Sequence, residues 1–258
     1  MSALRGALLW AGYAAAFSPV LLDLARHLIE SPWARYSAIF PLLFAVCALR
    51  EPRPEARQPG GALLIALGLA AALLAGFTGM LRYGRVGAAL AAIGVCRRFA
   101  LASPRSQALL LFAVPLPDAL MRRFDPQVAS FLLELAAGAA GLAGLTFAVD
   151  GTDVGFGDQV LSLERPDSGI ALMPLLAGLA WYAGCRLRRP PWRAAATACG
   201  AALLALPVQA VAIGLALLCL SLGEATLARH ALTHAPWIAI AAAVIAATEM
   251  RARRGLRA

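Results

Sequence analysis

Five acidic side chains, Asp150, Asp153, Asp158, Glu164 and Asp167, fall within 18 residues that hold a single arginine, Arg165. Asp167 and Ser168 close this stretch, and Gly169 opens a long apolar run. An aspartate at that point can cap a helix by accepting its first free N–H groups. The same two residues also offer chemistry. Asp167 could pair with a second outer acid as an acid–base couple, and the Ser168 hydroxyl could attack once a histidine has taken its proton. Two histidines, His230 and His234, stand four apart further along, which places them on one face of a helix. Such a pair can share a metal only with a third ligand, for which Asp150, Asp153 or Asp158 would be the candidates. The plainer reading is polar residues at the lip of a membrane span, and neither metal nor cofactor is expected. The five cysteines, Cys47, Cys96, Cys185, Cys199 and Cys219, lie in or at the ends of apolar stretches without CxxC spacing, so they read as packing residues.

The elements that position these groups follow from composition. Of the 258 residues, 61% are apolar and 14% charged, against about one-quarter charged in a soluble domain. That excludes a water-soluble enzyme and a disordered regulator. The chain reads as a single all-α polytopic membrane domain over 1–258. All 23 basic residues are arginine. In such a chain the net charge of +9 speaks first of topology, not of nucleic acid. The lipid bilayer is the first partner.

Nine apolar stretches are candidates to cross: Gly6–Ala25, Tyr36–Leu49, Gly61–Leu81, Val86–Cys96, Ser106–Met121, Val128–Val149, Ser168–Cys185, Ala194–Leu222 and Ala235–Met250. The first has no convincing cleavage site and reads as a retained span. Arginine groups at 50–57, 97–105, 186–193 and 251–257 should all face the cytoplasm. Three stretches separate Arg105 from Arg186, and an odd number cannot return the chain to the same side. Eight spans therefore remain, with both termini cytoplasmic and a short hairpin around 150–167 outside. Ser106–Met121, interrupted by Pro115 and Pro117, and Val128–Val149, which carries Glu134, are the two that could stay uncrossed. The second is preferred. Its Gly138, Gly141 and Gly144 read as a small-residue face for close helix approach.

In this arrangement Leu111-Phe112-Ala113-Val114-Pro115-Leu116-Pro117, a helix with Gln127, the polar hairpin, and Glu164-x-x-Asp167-Ser168-Gly169-Ile170 follow in order. A basic loop, a long span with Pro207 and Gln209, and His234 before the last span come next. Over residues 107–248 this order resembles the exosortase/archaeosortase family of membrane transpeptidases. The resemblance implies a bacterial cytoplasmic (inner) membrane protein that meets the C-terminal transmembrane sorting signal of another protein, in envelope or exopolysaccharide-associated sorting. It also implies a cysteine immediately before Ser-Gly, an arginine three residues after an asparagine in the long span, and a histidine. Asp167 stands at the cysteine position, Gln209 and Ala212 at the asparagine and arginine positions, and His234 at the histidine. With a carboxylate for a thiolate and a methyl group for a guanidinium, the expectation is a non-catalytic homologue or one of altered chemistry, and whether it is an enzyme stays open. Ser168 or Cys219 as nucleophile, and Arg229 in place of the lost arginine, are the routes by which activity would persist. A membrane transport or envelope-assembly protein unrelated to peptide cleavage is the alternative; Asp23, Asp118 and Glu134 are its candidate intramembrane acids.

Overall fold

The structure, a computed structural model, describes residues 3–52, 54–163, 169–232 and 235–255. It is helical apart from one small sheet and divides into two compact units, Met1–Pro115 and Leu116–Ala258. Helices Gly61–Thr78 and Pro191–Ser221 are each long and apolar enough to cross a bilayer, and a bent pair near the N-terminus makes a third if it acts as one span. The chain is a helical membrane protein.

In the first unit, the span expected over Gly6–Ala25 falls on two helices, α1 (Ala3–Ala16) and α2 (Ser18–Glu30). They meet at 78°. Pro19 has no N–H to give the Ala15 carbonyl, and the Ser18 hydroxyl donates to that oxygen instead, at 3.0 Å. A 3-10 turn leads into α3 (Ile39–Arg50). Next, α4 (Gly61–Thr78) and α5 (Leu81–Phe99) form an antiparallel hairpin along a glycine seam. A Cβ on Gly68 would lie 2.5 Å from the Gly87 carbonyl oxygen, and one on Gly94 would lie 2.7 Å from that of Gly61. Glycine at seven-residue spacing on both helices thus lets the two backbones touch. Beyond α5, the buried Gln107 binds the Ala102 carbonyl at 2.8 Å and the Gln58 side chain at 3.1 Å, and it accepts from Arg97 at 3.3 Å. Two one-turn helices follow, α6 (Pro104–Gln107) and α7 (Leu109–Phe112). The Ser106–Met121 stretch is therefore not one helix.

In the second unit, α8 (Asp118–Leu142) runs unbroken for 25 residues, about 37 Å at 1.5 Å per residue. Val128–Val149 thus supplies the second half of a helix that starts ten residues earlier. Leu132, Leu133 and Ala136 are its buried face, whereas Gly138, Gly141 and Gly144 meet nothing within 4 Å. The small-residue contact expected of these three is not made among the described residues: Gly138 and Gly141 are exposed on α8, Gly144 lies in the turn after it, and close packing occurs in α4 and α5 instead. The outer hairpin is a three-stranded antiparallel meander of β1 (Ala148–Asp150), β2 (Asp153–Phe156) and β3 (Gln159–Ser162). Both its turns are two-residue loops opening on a glycine at positive φ, Gly151 and Gly157, the requirement of tight hairpins.

The remaining helices are α9 (Leu172–Arg186), α10 (Pro191–Leu203), α11 (Ala205–Ser221), α12 (Ala225–Leu232) and α13 (Ala235–Gly255). The break at Leu204 lies over Pro207, which cannot donate to the Leu203 carbonyl. Leu132 and Leu133 from α8, Val154 and Leu161 from the sheet, Ile213, Leu217 and Leu220 from α11, and Leu232 from α12 bury one another in a single core. Gln159 Nε2 adds a 2.9 Å bond to the Gly223 carbonyl. The meander is therefore clamped onto the ends of α11 and α12.

Candidate functional site

The site residues expected from sequence, Asp167, Ser168 and His234, lie outside the described residues, as does Glu164. The positions beside them are described. Gly169, next to Ser168, has φ +80, a backbone state in which a side chain is strained. It is pressed against α11: a Cβ there would meet Gln209 Cβ at 3.0 Å and the Ala205 carbonyl oxygen at 3.2 Å. The turn continues through Leu172 N–H to the Gly169 carbonyl, at 3.0 Å. α9 then starts at Leu172, with Ala171 at its N-cap position and no side-chain cap. The expectation that Asp167 caps this helix falls on a residue outside the described ones.

This contact is deep. Gln209 precedes the end of α11 at Ser221 by twelve residues, about 18 Å along the axis. The entrance to α9 thus rests against the middle of the long helical rod, far below the sheet. Helix α9 is correspondingly short, at 15 residues.

Gln209 is the polar group of this contact. It is 1% exposed, and neither its amide nitrogen nor its amide oxygen has a hydrogen-bond partner among the described residues. Burying an amide unpaired costs about 1–3 kcal/mol, and such groups are rare enough in folded proteins to require a reason. The sequence marked Gln209 only as a counterpart to the family asparagine. What it lacked was the burial and the meeting with Gly169. Ala212, one turn further on, is half-buried, and a methyl group supplies neither charge nor donor there.

The other candidates sit apart from this contact. Cys219 is half-buried and packs against the hydrophobic core, which is a packing role. Arg229 and His230 are exposed on α12. The His230 Nδ1 lies 2.7 Å from the Thr226 carbonyl oxygen one turn back, so that nitrogen donates to the backbone and is occupied. Asp150, Asp153 and Asp158 are exposed on the meander, with Asp150 and Asp153 directly opposite in register. Among the described residues, no group of three or more His, Cys, Asp or Glu side chains is arranged to hold a metal ion.

Arranged in this way, the unit has a glycine-lined turn at mid-depth, a sealed amide facing the turn's packing surface, and an acidic sheet above. Among its described residues it presents no activated nucleophile. No curated protein and no solved structure matches the chain. The family model described as Transmembrane exosortase (Exosortase_EpsH) matches residues 30–248, which takes in most of the first unit as well as the 107–248 region expected from sequence. The chain belongs to the transmembrane exosortase family.

Proposed function

We propose that the protein engages C-terminal sorting signals in the bacterial inner membrane, as a family member that no longer performs cysteine transpeptidation. The observation that carries this reading is the Gly169–Gln209 contact. An unsatisfied amide is kept in the middle of a long apolar helix, against Gly169, the residue after Ser168, where Asp167 stands in place of the family's cysteine. A carboxylate at Asp167 lacks the nucleophilicity of a thiolate, whereas the Gln209 amide keeps a donor and an acceptor with which an extended segment could be recognised once the contact opens. Co-expression with a protein bearing a short sorting motif, a transmembrane helix and a basic tail tests it. The substrate should keep its full C-terminal mass with wild type and with Asp167→Ala alike, and should co-purify with both. A shortened product that depends on Asp167, Ser168 or His234 would overturn the non-catalytic reading.

The reading includes eight crossings with both termini cytoplasmic: α1 and α2 together, α3, α4, α5, α8, α9, α10 with α11, and α13. The continuity of α8 and the fragmentation of 106–121 favour α8 as the crossing element. Arg122 and Arg123 then join the cytoplasmic arginines, which become seventeen of the 23, leaving Arg26, Arg35, Arg82, Arg85, Arg165 and Arg229 outside. Reporter fusions ending at Arg123 and at Asp158 should read cytoplasmic and extracytoplasmic respectively. An extracytoplasmic signal at Arg123 would restore 106–121 as the crossing.

A further inference from the structure

The first unit contains a cavity of about 550 Å³ that the sorting reading does not use. Its lining is apolar except for Tyr13 and Arg85. The Tyr13 hydroxyl is already committed to the Ala88 carbonyl at 3.0 Å. Arg85 is not fully committed. Its Nε donates to Asp23 at 2.8 Å, its side chain is 13% exposed, and its two Nη groups make no hydrogen bond among the described residues.

The shape is that of a track. From Arg85 in the second turn of α5, the wall follows Ala88, Ala89 and Ala92 and continues to Leu101 and Leu110 beyond the end of that helix. At 1.5 Å per residue, the part of this path on α5, from Arg85 to Ala92, is roughly 10 Å long. Small alanines on α5 open it, and Phe44 on α3 forms the opposite wall. A mostly apolar cavity of a few hundred Å³ with one well-placed polar group is the usual form of a small-molecule site. Arginine suits phosphate because its fork of N–H groups can bind two oxygens at once.

We infer that this cavity holds one phospholipid, with an acyl chain along α5 and the headgroup phosphate on the Nη groups of Arg85. Charge complementarity selects the phosphate end, and the apolar lining that continues from Ala88 to Leu101 and Leu110 selects a hydrocarbon chain. The Asp23 carboxylate fixes the guanidinium from the opposite side, so the donors are aimed before the lipid arrives. This site is independent of the Gly169–Gln209 contact, and its failure would leave the sorting reading untouched.

The test uses the full chain, purified in detergent, stripped of bound lipid, and mixed with phosphatidylglycerol or with diacylglycerol of the same chains. Native mass spectrometry reads retention. One phosphatidylglycerol per chain should survive activation, and diacylglycerol should be lost at least about tenfold more readily, the equivalent of about 1.4 kcal/mol. The double variant Asp23→Asn, Arg85→Gln removes both charges together and should erase that preference. Ala45→Trp fills the cavity from an exposed position on its wall and should abolish retention of both lipids with the charge pair intact. Equal retention of the two lipids by wild type, unchanged retention in Ala45→Trp, or displacement of the lipid by the apolar segment of a sorting-signal peptide would each overturn the inference.

Discussion

Replacing Gln209 with leucine should make the protein more stable and, at the same time, unable to hold a sorting signal. The two halves of this expectation have one cause. In the folded protein the amide is sealed from solvent and makes no hydrogen bond among the described residues, so its desolvation goes uncompensated. Leucine has a similar size and no polar atoms. The substitution should therefore remove a penalty of about 1–3 kcal/mol, and the midpoint of thermal unfolding in detergent should rise. Ordinary core positions behave in the opposite way: trading a paired buried glutamine for leucine strands its partner and destabilises. A fall in the midpoint would show that the amide is structurally paired and not held for a ligand. In the co-expression assay, Gln209→Leu should reduce co-purification of the tailed substrate to background, and Gln209→Asn should keep part of it. A gain in stability joined to a loss of binding is the mark of a polar group held for a ligand.

This residue also marks the limit of what the sequence could say. Membrane class, the arginine clusters and the order of motifs were legible, because solvation in lipid and the positive-inside bias act on composition and linear order. The family match from residue 30 onward agrees with that order and reaches well before residue 107. Contacts were not legible. In a chain so rich in alanine and leucine, the seven-residue glycine spacing of α4 and α5 is hidden in the background. The more conspicuous Gly138, Gly141 and Gly144 were chosen instead, and they touch nothing within 4 Å. The meander was half legible: its glycine turns gave a hairpin, but β1 is only three residues long and carries no alternation to read. The bend within the first span, at Pro19, was not legible, because it depends on which groups reach the Ala15 carbonyl. The left-handed Gly169, which postpones the start of α9 to Leu172, is a backbone state that composition does not reveal. For Asp167, Ser168 and His234 themselves, sequence remains the argument.

The second large effect is expected at the opposite end of the same unit. Glu249 on α13 accepts from Arg186 on α9 through both carboxylate oxygens, from Nε at 2.7 Å and from Nη2 at 3.1 Å. Its Oε1 also takes the hydroxyl of the buried Tyr182. The side chains of Arg186 and Glu249 are 8% and 18% exposed, so solvent screens the pair little. Such a fork-to-fork pair has its charges and its hydrogen bonds satisfied together. Its net worth against an apolar pair is small, because both ions had to be desolvated. Removing one ion is a different matter, because the other stays buried without this counter-charge. Arg186→Met should therefore cost about 3–5 kcal/mol, and Glu249→Leu a similar amount, each read as a lowered unfolding midpoint. The double variant should recover most of that loss, although Tyr182 then keeps a hydroxyl with one partner fewer. Losses that simply add in the double variant would mean that the two residues do not act as a pair. The contrast with Gln209 is mechanistic. At α9 and α13 the buried polar groups satisfy one another and fasten the end of the bundle, so breaking them harms folding first. At the α11 contact the buried polar group is unsatisfied, so removing it helps folding and harms recognition. The sign of the stability change separates a fastening group from a group held for a ligand.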